Sequence, residues 1–258
     1  MTTTIDRKDT AATEAFADQV FGGVLQMATS VSIYIGEKLG LYRALADHGP
    51  LTRDELTRHA PIHWRYAQEW LEQQTVAGIL TTDNPEAGPE ARRYSLPGPQ
   101  AEVLLDRDSL FYLAPFVRLV MSGATAVPAL LEAYRTGGGV SWAELGADAR
   151  TGQGDMNRPW YLHALGSEWF PNAPEVHEAL TRGGRVADIA CGEGWSTIGI
   201  ALAYPDTEVD GYDVDGPSIE AARRHAAEMG VSDRVRFHHL DAAELTQEGV
   251  YDVVVGFE

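Results

Sequence analysis

A glycine-rich turn at residues 185–197 carries the residues whose types and spacing point most directly to ligand chemistry. The apolar run there ends at Asp188, passes through Ala190, Gly192 and Gly194, and continues into an amphipathic segment. This pattern predicts a strand, a tight turn and a helix N-terminus, which together present backbone N–H groups to a ligand. Glycine suits such a turn because it accepts unusual backbone angles and leaves room for a close ligand. Taken alone, the segment also fits a tight turn with no ligand.

Further acidic residues stand where apolar runs end. Asp213 lies 25 positions after Asp188, near the roughly 20-residue spacing at which dinucleotide-binding folds place a ribose-binding carboxylate. A carboxylate accepts two hydrogen bonds and therefore suits a vicinal diol. Asp241 closes a later run, and Asp215 is a second candidate beside Asp213 that we expect to face water. For Asp213 and Asp241 the alternative is a solvated loop start, which is common for acidic residues at strand ends.

Four strands and two helices must position these residues. The strands are predicted at 185–188, 208–213, 235–241 and 250–255, with one helix after Gly194 and another from Pro217 to Met229. Proline at a helix start costs no hydrogen bond, and Gly230 provides a stop for the second helix. This order of elements predicts half of a doubly wound α/β sheet.

The three motifs, in this order over residues 183–258, resemble class I S-adenosylmethionine (SAM) methyltransferases. The first motif of that family is an acidic residue followed by G-x-G-x-G, and Ala190 replaces the first glycine here. The dinucleotide fingerprint G-x-G-x-x-G fits less well, because its third glycine would fall on Thr197. The resemblance implies SAM as the cofactor, with Gly192 and Gly194 lining its methionine moiety.

The resemblance also implies roles for the remaining motif residues. Asp188 is the acidic residue of the first motif. Asp213, with Val214 beside it, would hold the ribose hydroxyls. Asp241, with Ala242 beside it, would accept a hydrogen bond from the adenine amino group. No metal is implied.

The family's sheet has seven strands, whereas four are predicted before Glu258. We therefore expect an incomplete Rossmann-like domain that is either a fragment or completed by another chain. A fourth strand left at the edge would be an association hazard. In relatives the segment after this strand supplies residues near the methyl donor, often a histidine, so the general base is expected beyond Glu258 if this chain follows them.

The sequence before the sheet divides into three regions. Residues 1–12 form a loose polar tail, residues 13–98 a long helix followed by a mainly helical winged-helix domain, and residues 99–182 a helical connector. Apolar residues recur every three or four positions from Thr13 to Gly40, which predicts a helix with one apolar face. That face must be buried within the chain or against a second subunit, and we favour a homodimer.

The winged-helix prediction rests on a capping box and on turn residues. Thr52–Glu55 is the capping box of a short helix, and a longer helix follows at Ile62–Val76. Gly78–Leu80 and Arg93–Leu96 are the predicted wing strands, separated by a loop rich in proline and glycine. Such domains bind DNA in many regulators.

The charge of this domain argues against nucleic acid. Seven Lys/Arg face nine Asp/Glu between Val31 and Gln100, whereas a DNA-binding domain needs a basic face. We therefore favour a scaffold for dimerisation and for the wall of a pocket, as in small-molecule O-methyltransferases that carry such a domain. The whole chain has a formal net charge of −18, which repels phosphate backbones and anionic membranes.

The connector, residues 99–182, is aromatic-rich and is expected to contribute a pocket for a flat apolar substrate, although a place in the core is the more common role for any single aromatic residue. Methyl transfer from a sulfonium is an in-line displacement that sometimes needs a base. His163 is the best-placed histidine for that role, because it lies in the region expected to face the methyl group. Its alternative is an ordinary surface or core histidine.

The remaining sequence features bear on the cellular compartment in which the protein is expected. Cys191 is the only cysteine and fits a reducing cytoplasm. It is expected to be a small turn residue rather than a nucleophile. The longest uncharged stretch of the first part, Gln19–Gly36, is too polar for a membrane span, and no signal peptide is visible at the N-terminus.

The sequence therefore predicts a cytoplasmic SAM-dependent methyltransferase acting on a small molecule through oxygen. The alternative is a SAM- or effector-binding regulator that keeps the fold without catalysis. The substrate, the acceptor atom and the oligomeric state do not follow from the sequence.

Overall fold

The structure, a computed structural model, describes residues 9–246 and 248–257. The chain divides into two compact units, Met1–Ala101 and Glu102–Glu258. The sequence predicts a separate connector at 99–182, whereas the contacts within the chain group residues 102–182 with the sheet that follows.

The first helix, α1 (Thr10–Lys38), begins three residues earlier than predicted. Asp9 caps it, since the Asp9 carboxylate accepts a hydrogen bond from the Ala12 N–H at 2.9 Å. Residues 10–12 are therefore helical, and residues 1–8 of the predicted tail lie outside the described residues. Between residues 16 and 27, α1 exposes six large apolar side chains: Phe16, Val20, Phe21, Val24, Leu25 and Met27.

Three short helices and a two-stranded wing complete the first unit, which confirms the predicted winged helix. They are α2 (Leu41–His48), α3 (Arg53–His59), α4 (Trp64–Val76), β1 (Thr81–Thr82) and β2 (Tyr94–Ser95). The capping box at α3 is confirmed, because the Thr52 hydroxyl accepts from the Glu55 N–H and the Glu55 carboxylate accepts from the Thr52 N–H. The strands β1 and β2 pair antiparallel.

The first wing strand starts later than the predicted Gly78–Leu80. The N–H groups of Ile79 and Leu80 both donate to the Gln74 carbonyl oxygen, so they close the end of α4 instead of joining a sheet. The strand pairing therefore begins only at Thr81.

Five helices lead into the second unit. They are α5 (Gly98–Leu105), which contains the boundary between the units, α6 (Ala114–Thr125), α7 (Val127–Thr136), α8 (Trp142–His163) and α9 (Pro174–Thr181). A π-helical turn at Leu165–Trp169 and a 3-10 turn at Phe170–Asn172 link α8 to α9. Helix α8 is interrupted at Gly146, which has φ 80° and ψ −170°.

The sheet is the predicted half of a doubly wound fold. Its strands β3 (Val186–Ile189), β4 (Val209–Asp213), β5 (Val235–His239) and β6 (Val253–Gly256) are all parallel, in the order β5-β4-β3-β6. Helices α10 (Trp195–Ala203) and α11 (Gly216–Glu228) make the first two crossovers, and a 3-10 turn at Ala242–Glu244 follows β5. The strand order reverses beside β3, which is the point where such sheets bind ligands above the carboxyl ends of the strands.

Close packing joins the long helix α8 to the sheet layer. A Cβ added at Gly199 of α10 would lie 2.3 Å from the Tyr161 carbonyl oxygen, so only glycine permits this approach. The core beneath is formed by apolar side chains of β3 to β5, α10 and α11, among them Ile198, Ile200 and Ile219. This contact explains why residues 102–182 are grouped with the sheet.

Within the described part of the chain, no single helix combines the length and the apolar composition needed to cross a bilayer. Helices α6 and α7 meet that test only when they are taken together, and a bend of 59° separates them.

Candidate functional site

The glycine-rich turn follows β3 and has an unusual backbone. Ala190, Gly192 and Gly194 have φ values of 57°, 53° and 81°, the left-handed region that glycine tolerates best. Ala190 is the one non-glycine residue with positive φ among the described residues. This conformation explains why a glycine is usual at the position of Ala190, since a left-handed alanine costs roughly 1–2 kcal/mol.

The two glycines of the turn serve different purposes. A Cβ at Gly194 would lie 2.7 Å from side-chain atoms of Ala222 and of Phe237, so Gly194 permits close packing inside the domain. A Cβ at Gly192 would meet no atom within 4 Å. Gly192 therefore faces open space, whereas Gly194 is the N-cap of α10.

Asp213 lies at the carboxyl end of β4, where two backbone groups orient its side chain. Its Oδ2 accepts from the Gly192 N–H and its Oδ1 from the Asp215 N–H, each at 2.8 Å. A carboxylate has about four acceptor positions, so both oxygens can each accept a second hydrogen bond from a ligand. The turn after β3 and the carboxylate after β4 are thus joined in one site.

Asp215 does not face water as expected. Its carboxylate caps α11 by accepting from the Ser218 N–H and hydroxyl, and it lies 3.6 Å from Nε of Arg150. The Asp215 side chain is only 11% exposed. The Asn/Asp preference at helix N-caps, seen two residues before Pro217, was the sequence signal for this role.

A cavity of about 270 Å³ opens beside the turn, close to the lower end of the roughly 300–1,000 Å³ typical of small-molecule sites. It contains four of the residues predicted from the motifs, namely Ala190, Gly192, Asp213 and Val214. The other lining residues are Trp142, Arg150, Gln153, Gly154, Asn157, Tyr161, Cys191, Glu193, Trp195, Ser196, Ser218 and Phe257.

One face of α8 forms a wall of this cavity. Arg150, the adjacent pair Gln153 and Gly154, Asn157 and Tyr161 recur every three or four residues, which places them on one side of a helix. At 1.5 Å per residue, the wall from the first to the last is about 16 Å long. The sequence motifs do not predict these residues, although their helical spacing and the polar residues beside aromatics around Asn157 are signals in the sequence.

Asp188 lies beneath the cavity rather than in its wall. Its Oδ2 accepts from the hydroxyls of Ser196 and Thr197, each at 2.6 Å, while no described residue bonds to its Oδ1. Complete burial raises the pKa of this carboxyl to about 6, against the two hydroxyl bonds that lower it. Asp188 therefore fixes the start of α10 below the turn.

Two other ionisable groups of the site are shifted by burial. The thiol of Cys191 is buried, and desolvation raises its pKa far above the usual value, so the thiolate is disfavoured at neutral pH, consistent with a turn residue rather than a nucleophile. Burial also raises the pKa of the Glu193 carboxyl. Glu193 fits closely against α8, since a Cβ at Gly154 would lie 2.6 Å from its Oε2.

Three predicted positions lie outside the cavity wall besides Asp188 and Gly194. The Asp241 side chain is exposed and accepts from the Ala243 N–H at the 3-10 turn that contains Ala242. His163 is exposed at the end of α8. It is two residues, about 200°, from Tyr161 on the helix, so it points away from the cavity that Tyr161 lines.

An aromatic cluster stands at the Tyr161 end of the wall. The Tyr161 ring lies 5.2 Å from that of Phe257 and meets Trp169 edge-on at 6.1 Å. Phe170 is 6.5 Å from Phe257. Burial raises the pKa of the Tyr161 phenol to about 12, so its hydroxyl stays protonated at neutral pH and can donate a hydrogen bond.

Two families match separate parts of the chain. A family described as a methyltransferase domain matches residues 186–258. A family described as an Rv2258c-like winged HTH domain matches residues 27–106. These ranges contain the sheet and the winged helix of the structure.

Curated relatives match a short part of the chain. The ribosomal protein uL3 glutamine methyltransferase of Bordetella pertussis (strain Tohama I) is 36% identical over 83 residues, which are 32% of this chain and 28% of that protein. The chain thus matches less than a third of the length of this relative.

Solved structures match most of the chain. The mitomycin 7-O-methyltransferase MmcR is similar with a TM-score of 0.68 and 22% identity, over 95% of this chain and 71% of the other. The O-methyltransferase NcsB1 from neocarzinostatin biosynthesis, in complex with SAM and 2-hydroxy-5-methyl naphthoic acid, is similar with a TM-score of 0.56 and 21% identity, over 83% of this chain and 65% of the other. At these identities the likeness establishes a shared fold.

The two family matches agree with the two parts of the structure. The chain contains a methyltransferase domain at residues 186–258, with a winged helix-turn-helix domain ahead of it at residues 27–106.

Proposed function

We propose that this chain transfers the methyl group of SAM to an oxygen atom of a small-molecule acceptor. The observation that carries the proposal is the cavity in which the Asp213 carboxylate, held by Gly192, meets the polar face of α8. Asp213 would bind the ribose hydroxyls with the acceptor positions that its two backbone bonds leave free. Gly192 and Ala190 would line the methionine moiety.

The residues present suit a cationic cofactor. Three carboxyl groups, those of Asp188, Glu193 and Asp213, lie at or beneath the cavity. Their negative charge favours a positively charged ligand in a partly desolvated site. SAM would supply an activated methyl group on its sulfonium, and this is the chemistry that the site needs for transfer.

The far end of the cavity supports a flat acceptor. Tyr161 and Phe257 offer aromatic surfaces there, and the Tyr161 hydroxyl can donate a hydrogen bond to an acceptor oxygen. Holding that oxygen in line with the methyl group at about 3 Å and excluding water would be the main contribution of these side chains. The NcsB1 complex, which contains a hydroxylated naphthoic acid, is a fold relative with an aromatic ligand.

The span of the similarities favours a small molecule over a protein acceptor. The glutamine methyltransferase relatives match a segment of about 80 residues, whereas the O-methyltransferase structures match nearly the whole fold, including the helices that form the cavity wall. We therefore favour an oxygen atom of a small molecule as the methyl acceptor, and the amide nitrogen of a protein glutamine is the second candidate.

The first unit would act as a scaffold for a cytoplasmic homodimer. The exposed apolar side chains of α1 form a face that a second copy of the helix would cover. Nucleic acid and membranes are disfavoured as partners by the net charge of −18.

Calorimetric titration of SAM and of S-adenosylhomocysteine into the 258-residue chain tests the cofactor. Micromolar affinity is expected. The bound protein would then be screened with phenols, carboxylic acids and glutamine peptides, with methylated product detected by mass spectrometry. A folded chain that binds neither cofactor form would contradict the proposal, and methylation of the glutamine peptide alone would contradict the choice of oxygen.

A further inference from the structure

The Asp188 carboxyl is a buried ionisable group whose protonation has no assigned part in the proposed reaction. Asp188 is only 1% exposed. Its Oδ2 accepts from the hydroxyls of Ser196 and Thr197, while its Oδ1 has no hydrogen-bond partner among the described residues. Ser196 also lines the cavity, so one small side chain separates the carboxyl from the ligand space. A buried carboxylate oxygen without a partner is costly, and the ionisation of Asp188 therefore responds to any charge that enters the cavity.

Acidic groups surround this carboxyl on the side of the cavity. Asp213, at the end of β4, and Glu193, in the glycine-rich turn, both line the cavity. The charge of Asp213 opposes ionisation of Asp188. Within the sheet, the neighbours of Asp188 in register are Gly211 on β4 and Val255 on β6, neither of which is ionisable.

The remaining ionisable groups near the cavity do not neutralise Asp188. Tyr161 of α8 presents a protonated phenol. Arg150 of α8 lies 3.6 Å from the Asp215 carboxylate. His225 of α11 stacks on Trp195 at 4.3 Å, and its Nδ1 is 3.0 Å from the Glu193 carbonyl oxygen. In the part of the chain that the structure describes, Asp188 therefore has no basic partner.

The empty site consequently holds a proton on Asp188 under mildly acidic conditions. Desolvation raises the pKa of this carboxyl to about 6, against the two hydroxyl bonds that lower it. A cation in the cavity favours the ionised form, because attraction between charges acts over several ångströms in a partly desolvated site. SAM has a sulfonium where S-adenosylhomocysteine has an uncharged thioether, so the two ligands differ by one positive charge.

We propose that binding of SAM expels the proton of Asp188 into solvent, and that the site therefore prefers SAM over S-adenosylhomocysteine less strongly as the solution becomes acidic. This rests on the proposed function, in which the cavity binds SAM. Protonated Asp188 is neutral and does not attract the sulfonium, so the extra affinity for SAM is present above about pH 6 and is lost below it. Methyl transfer removes the sulfonium charge, so acidification strengthens inhibition by the product.

Calorimetric titration of both ligands into the full 258-residue chain tests the inference at pH 5.0, 5.5 and 7.5. The affinity for SAM divided by that for S-adenosylhomocysteine should fall about five- to tenfold from pH 7.5 to pH 5.0, the effect of one charge several ångströms away. Repeating the titrations in two buffers of different ionisation enthalpy counts protons. At pH 5.5, SAM should release roughly half a proton more than S-adenosylhomocysteine does.

Asp188→Asn is the decisive variant, because Asn keeps an oxygen acceptor for the two hydroxyls and does not ionise. Its affinity ratio should agree within about twofold at pH 5.0 and pH 7.5, and the difference in proton release should vanish. Glu193→Gln is the matched control, since it removes another carboxyl of the same cavity. It should retain at least about a threefold fall in the ratio. Circular dichroism checks the fold of each variant.

The possible results separate the inference from the proposed function. A wild-type ratio that does not change with pH, or equal proton release by the two ligands, would overturn the inference and leave SAM binding intact. The full pH dependence in Asp188→Asn would overturn the assignment to Asp188. A folded wild-type chain that binds neither ligand at pH 7.5 would instead overturn the proposed function and this inference with it.

Discussion

At the scale of single residues, Asp213 is the side chain on which the proposed site depends most. Its two oxygens are already oriented by the N–H groups of Gly192 and Asp215, so a ligand diol would meet a fixed acceptor. Asp241 is also acidic and also follows a strand, yet its side chain is exposed and, among the residues that the structure describes, accepts a hydrogen bond only from Ala243 of its own turn. Fixed geometry, and not charge alone, separates these two carboxylates.

Asp213→Ala is expected to weaken SAM binding by about tenfold or more, the scale of a lost hydrogen bond to a charged group. Calorimetric titration measures this directly. Asp241→Ala serves as the comparison and should leave the affinity within about twofold. An unchanged affinity in Asp213→Ala would refute the ribose assignment, and a tenfold loss in Asp241→Ala would restore the adenine role predicted from the sequence.

Asp188 gives a prediction for stability against pH. Burial raises its pKa in the folded state to about 6 from 3.8, so the folded form binds a proton that the unfolded form has released between these values. The free energy of unfolding contributed by Asp188 therefore falls as pH rises from about 4 to 6 and is constant above that range.

Asn at position 188 cannot ionise, so the Asp188→Asn variant should not lose stability in this way as pH rises. The unfolding free energy of the variant minus that of the wild type should therefore be about 2 kcal/mol larger at pH 7.5 than at pH 4, since a pKa shift is worth 1.36 kcal/mol per unit. Urea unfolding at the two pH values measures the difference. The exposed Asp233→Asn variant should show no such change, and an equal pH dependence in Asp188→Asn and wild type would contradict the assignment.

The buried Cys191 thiol should resist chemistry that needs a thiolate. Since burial raises its pKa well above the usual value, iodoacetamide at pH 8 is expected to modify Cys191 at least about tenfold more slowly in the folded chain than in urea. Intact-mass spectrometry follows the reaction. Equal rates in both states would mean that the turn opens readily, and a Cys191→Ala variant without methyl transfer would revive a catalytic role.

At the scale of elements, the two glycines of the turn between β3 and α10 have different roles: Gly194 serves packing and Gly192 serves ligand binding. Gly194→Ala combines a left-handed backbone with contacts of 2.7 Å to Ala222 and Phe237. It is expected to destabilise the fold by about 2 kcal/mol or more. Gly192→Ala has the same kind of backbone but open space at its Cβ, so about 1 kcal/mol is expected.

The Gly192→Ala and Gly194→Ala variants are distinguished by measuring both their stability and their affinity for SAM. Gly192→Ala should lose SAM affinity by more than its modest loss of stability explains, because its methyl group enters the cavity. Gly194→Ala should chiefly lower the denaturation midpoint. The reverse assignment, with Gly192→Ala the less stable variant and unaffected in binding, would contradict this division of roles.

At the scale of the whole molecule, α1 determines the expected assembly. Its exposed Phe16, Val20, Phe21 and Val24 form an apolar face of the kind that marks protein–protein contact surfaces. Phe21→Asp is therefore expected to convert a dimer into a monomer in light scattering coupled to size exclusion. Val76→Asp, on a residue that is 91% exposed at the end of α4, is the control and should remain dimeric. A monomeric wild type would refute the dimer.

The sequence by itself determined the elements and their order. Local patterns define the four strands, the glycine-rich turn, the capping box at Thr52 and the acid after β4, because each depends on hydrogen bonding and side-chain periodicity within a few residues. The family resemblance was carried by these same local motifs. Strand ends and the start of α1 differed by a few residues where a single cap or a carbonyl, as at Gln74, decided the boundary.

Tertiary structure alone decided which residues share the site. Motif spacing carried no information on α8, whose Arg150 and Tyr161 meet a turn about 30 to 40 residues later only because small residues let the helices pack closely. The same packing turned His163 away from the cavity and made Asp215 a helix cap with an arginine beside it. Which face of a helix meets a distant turn depends on how whole elements pack, and that is not encoded in any one local pattern.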